Sequence, residues 1–202
     1  MKLSQLIQVG AFATIAVFGS ANAATNLIIN GDFETFSGLF TGDYSVVTTS
    51  SGTLASWTVG GTSIDVIRNQ YGVINGHSID MLGSPGPGSL SQTFNTTAGG
   101  LYSLSFDLSR NGNDGPTMSV SVGNLNQTFT GTTPTFSHFS QQFTAGIGSS
   151  TTLLFSSANI IANGGAVLDN VSVSAVPEPS TYALMLGGLG LMGFMARRRK
   201  QG

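Results

Sequence analysis

In two runs, over 102–108 and 118–122, apolar and polar side chains alternate strictly. Tyr102, Leu104, Phe106 and Leu108 interleave with Ser103, Ser105 and Asp107, and Met118, Val120 and Val122 interleave with Ser119 and Ser121. A period of two places one set on one face of a strand and the other set opposite. Shorter runs follow at Phe139–Phe143, where two phenylalanines flank Gln141, at Leu153–Phe155 and at Val167–Val173. Turn chemistry separates them: Gly60-Gly61, the Gly83–Gly88 stretch with two prolines, Gly99-Gly100, Asn111–Pro116 and Gly164-Gly165. Glycine, proline and asparagine at such points reverse a chain rather than extend it. The body shows no helical period and no fixed-length repeat. The pattern predicts an all-β fold of many short strands in two packed sheets.

The two ends have a different character. Lys2 precedes an apolar run over 6–19, and Ala21-Asn22-Ala23 closes it. A charged start, a short apolar core and a small-x-small end make a secretory leader, cut by signal peptidase after Ala23. At the other end, Val176-Pro177-Glu178-Pro179 refuses helix. An uncharged run from Tyr182 to Ala196 follows, and then Arg197, Arg198, Arg199 and Lys200. As a helix rising 1.5 Å per residue this run is about 23 Å long, against a hydrocarbon core of about 30 Å. It is expected to span the inner membrane by thinning the bilayer or by letting its flanks snorkel, with the basic cluster on the cytoplasmic side. The expected division is a signal peptide at 1–23, a β-sandwich domain at 24–175 and a sorting segment at 176–202.

This tail resembles the PEP-CTERM sorting signal. The resemblance rests on Val176-Pro177-Glu178-Pro179-Ser180, the apolar helix and the basic cluster, in that order at the C-terminus. It implies processing near the Pro-Glu-Pro by an exosortase-type membrane protease. It also implies a final place on the outer surface, or in the extracellular matrix, of a Gram-negative bacterium that makes exopolysaccharide.

Charge narrows the remaining possibilities. From residue 24 to 176 there are eight carboxylates, two arginines and no lysine. A basic footprint for nucleic acid is absent. The chain has no cysteine, so thiol and disulfide chemistry are excluded. Two histidines and no nucleophile-elbow pattern argue against acyl transfer, and His77 and His138 lack zinc-ligand spacing. The chain reads as a non-enzyme.

One carboxylate is out of place. In a regular strand Asp169 shares a face with Val167, Val171 and Val173, where an unpaired charge is costly. A calcium ion, which prefers carboxylate and carbonyl oxygens, would resolve this. The Asn26–Glu34 opening, the Trp57 segment, the Gly76–Met81 run, the Ser89–Phe94 strand and the Leu168–Val171 finish together resemble galactose-binding-like β-sandwiches of the choice-of-anchor C type. That resemblance implies a jelly roll whose first and last strands meet around a structural calcium. Glu34 and Asp169 match two of its carboxylate positions, with Asp32 and the main-chain carbonyls near Asn30 as further candidates.

It also raises a sugar site. Carbohydrate recognition needs an aromatic platform and a few fixed polar groups. Trp57, Arg68, Asn69, Tyr71, His77, Asp80 and Gln92 are of suitable type. Set against this, a tryptophan near a strand start such as Trp57 is more often core than platform, a lone His77 is more often a hydrogen-bonded structural residue, and Asp80 reads also as a solvent-facing strand position. The expected function is an exported, non-catalytic module that binds carbohydrate or associates with an exopolysaccharide matrix or biofilm. The alternatives are an adhesive protein acting through protein contacts and, less favoured, a hydrolase using two close carboxylates.

Overall fold

The computed structural model describes residues 25–72, 76–112, 116–158, 164–177 and 179–199. The expected leader with its cleavage point at Ala23 lies outside these residues, as does Glu178 of the Pro-Glu-Pro.

Among the described residues eleven strands form two antiparallel sheets. The first has the order β1 (Tyr44–Val47), β3 (Ile64–Ile67), β4 (Ser78–Asp80), β11 (Ala166–Ala175), β6 (Leu101–Arg110), β9 (Ser137–Thr144). The second has the order β2 (Thr58–Gly61), β5 (Gly88–Asn95), β10 (Ser150–Ser157), β7 (Thr117–Val122), β8 (Leu125–Thr130). From β5 to β11 the chain passes repeatedly from one sheet to the other, the jelly-roll manner of closing a sandwich. The sandwich confirms the reading of alternation. Tyr102, Leu104, Phe106 and Leu108 on β6 and Met118, Val120 and Val122 on β7 are all buried in one core. Aromatic rings run through its middle: Phe33 lies 5.5 Å from Trp57, Trp57 6.4 Å from Phe155, Phe155 5.6 Å from Phe106, and Phe106 5.0 Å from Phe129.

The start of the domain meets its last strand. Leu27 N donates to Val173 O at 2.8 Å, and Val171 N to Gly31 O at 2.8 Å. The expected first strand at 26–29 is not a regular one, because the Asn26 side chain replaces part of the ladder: its Oδ1 accepts from Val173 N and Ile28 N, both at 3.0 Å. Gly31 is required at this junction, since a Cβ there would fall on the Val171 carbonyl.

The face expected for Asp169 is corrected. Pairing shifts between Asp169, opposite Asp107, and Ser172, opposite Ser105, so β11 carries a bulge. Asn170 sits in it at φ 50, a left-handed conformation that asparagine tolerates. The extra residue reverses the alternation. Leu168, Val171 and Val173 all point into the core, while Asp169 stays with Val167 on the outer face.

The tail forms α1 (Pro179–Arg199), with Arg197, Arg198 and Arg199 in its last turn. The transmembrane expectation is also corrected: among the described residues no helix is long and apolar enough to cross a membrane. The uncharged stretch is short and diluted by Gly187, Gly188, Gly190 and Gly193, so any window of spanning length takes in polar or basic residues.

Candidate functional site

The outer face of the six-stranded sheet carries the chemistry. Register pairing sets Val46 against Asp65, Asp65 against Asp80, Asp80 against Val167, and Val167 against Ser109, in one row across five strands. In the next row Tyr44 faces Ile67, Ile67 faces Ser78, and Asp169 faces Asp107, which faces His138. Ser78 Oγ joins the two halves of that row by donating to Asp169 Oδ2 at 2.8 Å. Half of the body's eight carboxylates therefore lie on this one surface.

A loop divides it. Asn69 and Tyr71 adopt left-handed φ values of 57 and 53. This curls the chain back until Ser109 Oγ donates to Tyr71 O at 2.6 Å. Tyr71 and Phe136 then pack over Ile67 and Val167. On one side of this ridge lies a cleft of two adjoining hollows of about 260 and 310 Å³, which share Asp65, Asp80, Ser84 and Asn111. The Gly83–Pro87 loop bounds the first hollow; Tyr44, Gln70 and Tyr71 bound the second.

Both aspartates at the cleft floor are fixed. Asp80 is 2% exposed; Leu82 N donates to its Oδ1 at 3.0 Å and Asn111 Nδ2 to its Oδ2 at 2.7 Å. Asp65 is 6% exposed and accepts from Ser84 N at 3.1 Å and Ser84 Oγ at 3.0 Å. Burial pushes the Asp80 carboxyl up to about 6; the Asn111 and Leu82 hydrogen bonds oppose that rise and the Asp65 charge adds to it. Burial likewise raises Asp65, against the Ser84 hydrogen bonds. Burial and the Asp80 charge raise the Tyr71 phenol. Gly165 packs directly against the Asp80 carboxylate, because a Cβ there would fall on Asp80 Oδ1.

The sequence-derived sugar candidates divide. Asp80 and Tyr71 line the cleft, and Asp80 is buried rather than solvent-facing. Asn69 shapes the ridge. Arg68 and His77 belong to a separate stack on the other side: the Arg68 guanidinium lies 4.4 Å over the Phe40 ring, and His77 stacks on Phe40 at 5.2 Å. Trp57 is no platform. It is 7% exposed, within the core, with Nε1 donating to Asn30 O at 2.8 Å. Gln92 clips the start of the domain, exchanging hydrogen bonds of 2.8 and 2.9 Å with the Ile29 main chain. Asp65, Ser84, Asn111, Tyr44 and Gln70 were not among the candidates. Asp65 had a readable signal: in Ile64-Asp65-Val66-Ile67 it is an acid set in an apolar strand, the same anomaly that singled out Asp169.

The calcium candidates divide too. Glu34 and Asp169 reach neighbouring residues, Glu34 Oε1 accepting from His77 N at 2.8 Å and Asp169 from Ser78. Asn30 is engaged within its own turn, its main-chain carbonyl accepting from Trp57 Nε1 at 2.8 Å and from Phe33 N at 3.3 Å. Its Oδ1 accepts from Thr35 N at 2.8 Å, and its Nδ2 donates to Thr35 O and Ala55 O at 3.1 and 3.0 Å. Asp32 lines a different hollow with Asn26 and Asn170. Among the described residues no group of three or more His, Cys, Asp or Glu side chains could hold a metal. The four residues therefore do not make one ligand shell, although two of them converge. Burial, with the nearby Asp107 and Glu34 charges, raises the Asp169 carboxyl to about 6 against the Ser78 and Asn170 hydrogen bonds.

Solved structures with likeness to this chain include a family 4 carbohydrate-binding module (TM-score 0.47, 18% identity, covering 74% of this chain and 99% of that one). Another is TmCBM61 in complex with β-1,4-galactotriose (TM-score 0.44, 13%, 76% and 100%). A third is a family 35 carbohydrate-binding module from Clostridium thermocellum (TM-score 0.43, 12%, 64% and 96%). No curated protein matches the chain. The PEP-CTERM protein-sorting motif matches residues 175–200, which marks the chain as exported, sorted at a membrane toward the cell surface and processed by an exosortase. The model of the family described as protein of unknown function (DUF642) matches residues 26–174, nearly the whole sandwich, and the chain belongs to that family.

Proposed function

We propose that this is an exported glycan-binding module without catalysis of its own, and that the Asp65–Asp80 cleft is where it takes a saccharide. The carrying observation is the lining. Two buried carboxylates, an amide and a hydroxyl are held in place by hydrogen bonds beside two tyrosines, in a hollow the size of a sugar ring or two. On this reading signal peptidase acts after Ala23 and an exosortase near Val176–Pro179. The mature domain then contacts extracellular polysaccharide in a surface matrix or biofilm.

Tyr44 gives the cleanest test. It is 40% exposed at the rim, so truncation costs little folding energy. Removing a contacting aromatic from a binding site commonly costs more than 1 kcal/mol of affinity. Tyr44→Ala is expected to weaken capture on a glycan array or by extracellular polysaccharide about tenfold, with an unchanged melting temperature. Full binding by this variant would count against the cleft.

Two facing carboxylates also suit glycoside cleavage. Here each already accepts two hydrogen bonds from fixed donors, an arrangement better suited to holding a ligand than to moving protons. Release of reducing ends that Asp80→Asn abolishes would establish the hydrolase instead.

A structural calcium is a further part of the proposal. Glu34 and Asp169 would hold it with main-chain carbonyls, and it would neutralise the carboxylates that crowd Asp169. At a hundredfold excess over its Kd, an ion that binds only the folded chain stabilises it by about 2.7 kcal/mol. Melting is therefore expected several degrees higher in calcium than in chelator. Coincident transitions would remove the ion from the account.

A further inference from the structure

We infer that the cleft selects a sugar bearing a protonated amine, that is, a glycan whose amino groups are at least partly free of acyl caps. The inference rests on the glycan-binding reading and narrows it. Asp65 and Asp80 sit on adjacent strands at register-paired positions, where side chains lie about 5 Å apart. Like charges so placed repel. Their hydrogen-bond partners are neutral: Ser84 N and Oγ, Leu82 N and Asn111 Nδ2. Among the described residues neither carboxylate makes an ion pair. A cation entering between them would be held by two charge-assisted hydrogen bonds in a partly dry site.

The shape of the cleft distinguishes among cations. A bare metal ion needs neither hollows of about 260 and 310 Å³ nor tyrosine walls. A lysine side chain of a protein would satisfy the carboxylates but would make no use of Gln70 or of the remaining hydrogen-bonding capacity of Ser84 and Asn111. An amino sugar places its ammonium at the aspartates, its hydroxyls at those polar groups and a ring face against tyrosine. Capping the amine with acetyl removes the charge that the two carboxylates attract.

The test is calorimetric titration of the full chain at neutral pH with glucosamine trimer, its fully N-acetylated counterpart, a neutral galactose trimer, lysine amide and calcium chloride. The glucosamine trimer is expected to bind at least tenfold more tightly than either other saccharide. Asp65→Asn and Asp80→Asn should each abolish that preference; both remove a buried charge and keep a carbonyl acceptor, and their thermal melts verify folding. Equal or tighter binding of the acetylated or neutral trimer would overturn amine selection while leaving glycan binding standing. A preference retained in both variants would overturn the assignment to this pair. Competition at equal affinity by lysine amide or calcium would overturn the sugar in favour of a bare cation. If no saccharide binds, the glycan-binding reading falls, and this inference with it.

Discussion

Trp57→Ala is expected to lower the unfolding free energy by about 3–5 kcal/mol, the range for truncating a large buried aromatic. The indole touches Phe33 and Phe155 and so links the opening segment to the centre of the sandwich. Its Nε1 also holds the carbonyl of Asn30, a residue at φ 55 whose side chain braces Thr35 and Ala55. Removing the ring opens a cavity and leaves that carbonyl only the longer hydrogen bond from Phe33 N at 3.3 Å. Trp57→Phe restores most of the volume but not the hydrogen bond, so its loss should be smaller, about 1–3 kcal/mol. Urea denaturation measures both. Where Trp57→Ala remains folded, its glycan affinity should equal that of the native chain. A variant of native stability that had lost glycan binding would make Trp57 the platform after all.

The second large effect is on pH dependence. Asp80 ionises at about 6 in the folded chain against an ordinary 3.8. The folded state therefore binds more protons than the unfolded chain between those values. Stability falls as pH rises through that window and is flat above it. At neutral pH the ionised, buried carboxylate costs the fold roughly 3 kcal/mol. Asp65 and Asp169 are raised as well and act in the same direction. Thermal melts without ligand should give a higher midpoint at pH 5 than at pH 7.5. Asp80→Asn should flatten the profile, chiefly by gaining stability at the higher pH. A native chain most stable above neutrality, losing stability steadily toward pH 5, would show that these carboxylates are paired with positive charge.

The sandwich was legible because the alternation on β6 and β7 runs unbroken through their core-facing residues. From Tyr102 to Leu108 on β6 and from Met118 to Val122 on β7 every second residue is apolar, and all of those residues are buried. The face of Asp169 was not legible. Alternation assumes an unbroken pleat, and one asparagine in a left-handed bulge reverses it; Asn170 in sequence looks like any polar strand residue. The cleft was legible only in part. Asp80 and Tyr71 were named on residue type, but what joins them to Asp65, Ser84 and Asn111 is strand register between distant segments. That information lies in tertiary pairing, not in spacing along the chain. Trp57 drew attention as the single tryptophan, and composition cannot tell a platform from a core ring. In the tail, the sorting motif was readable from residue order, whereas the ability to span depended on length and glycine content.

The central claim, that the Asp65–Asp80 cleft is the binding surface, is tested most directly by following backbone amide resonances as glucosamine and N-acetylglucosamine trimers are titrated in turn. Perturbations are predicted to cluster at Gly83, Ser84 and Asn111, and at Tyr44 and Tyr71 across the cleft. Shifts confined to the Phe40–His77 stack, or to the outer face of the five-stranded sheet, would contradict it.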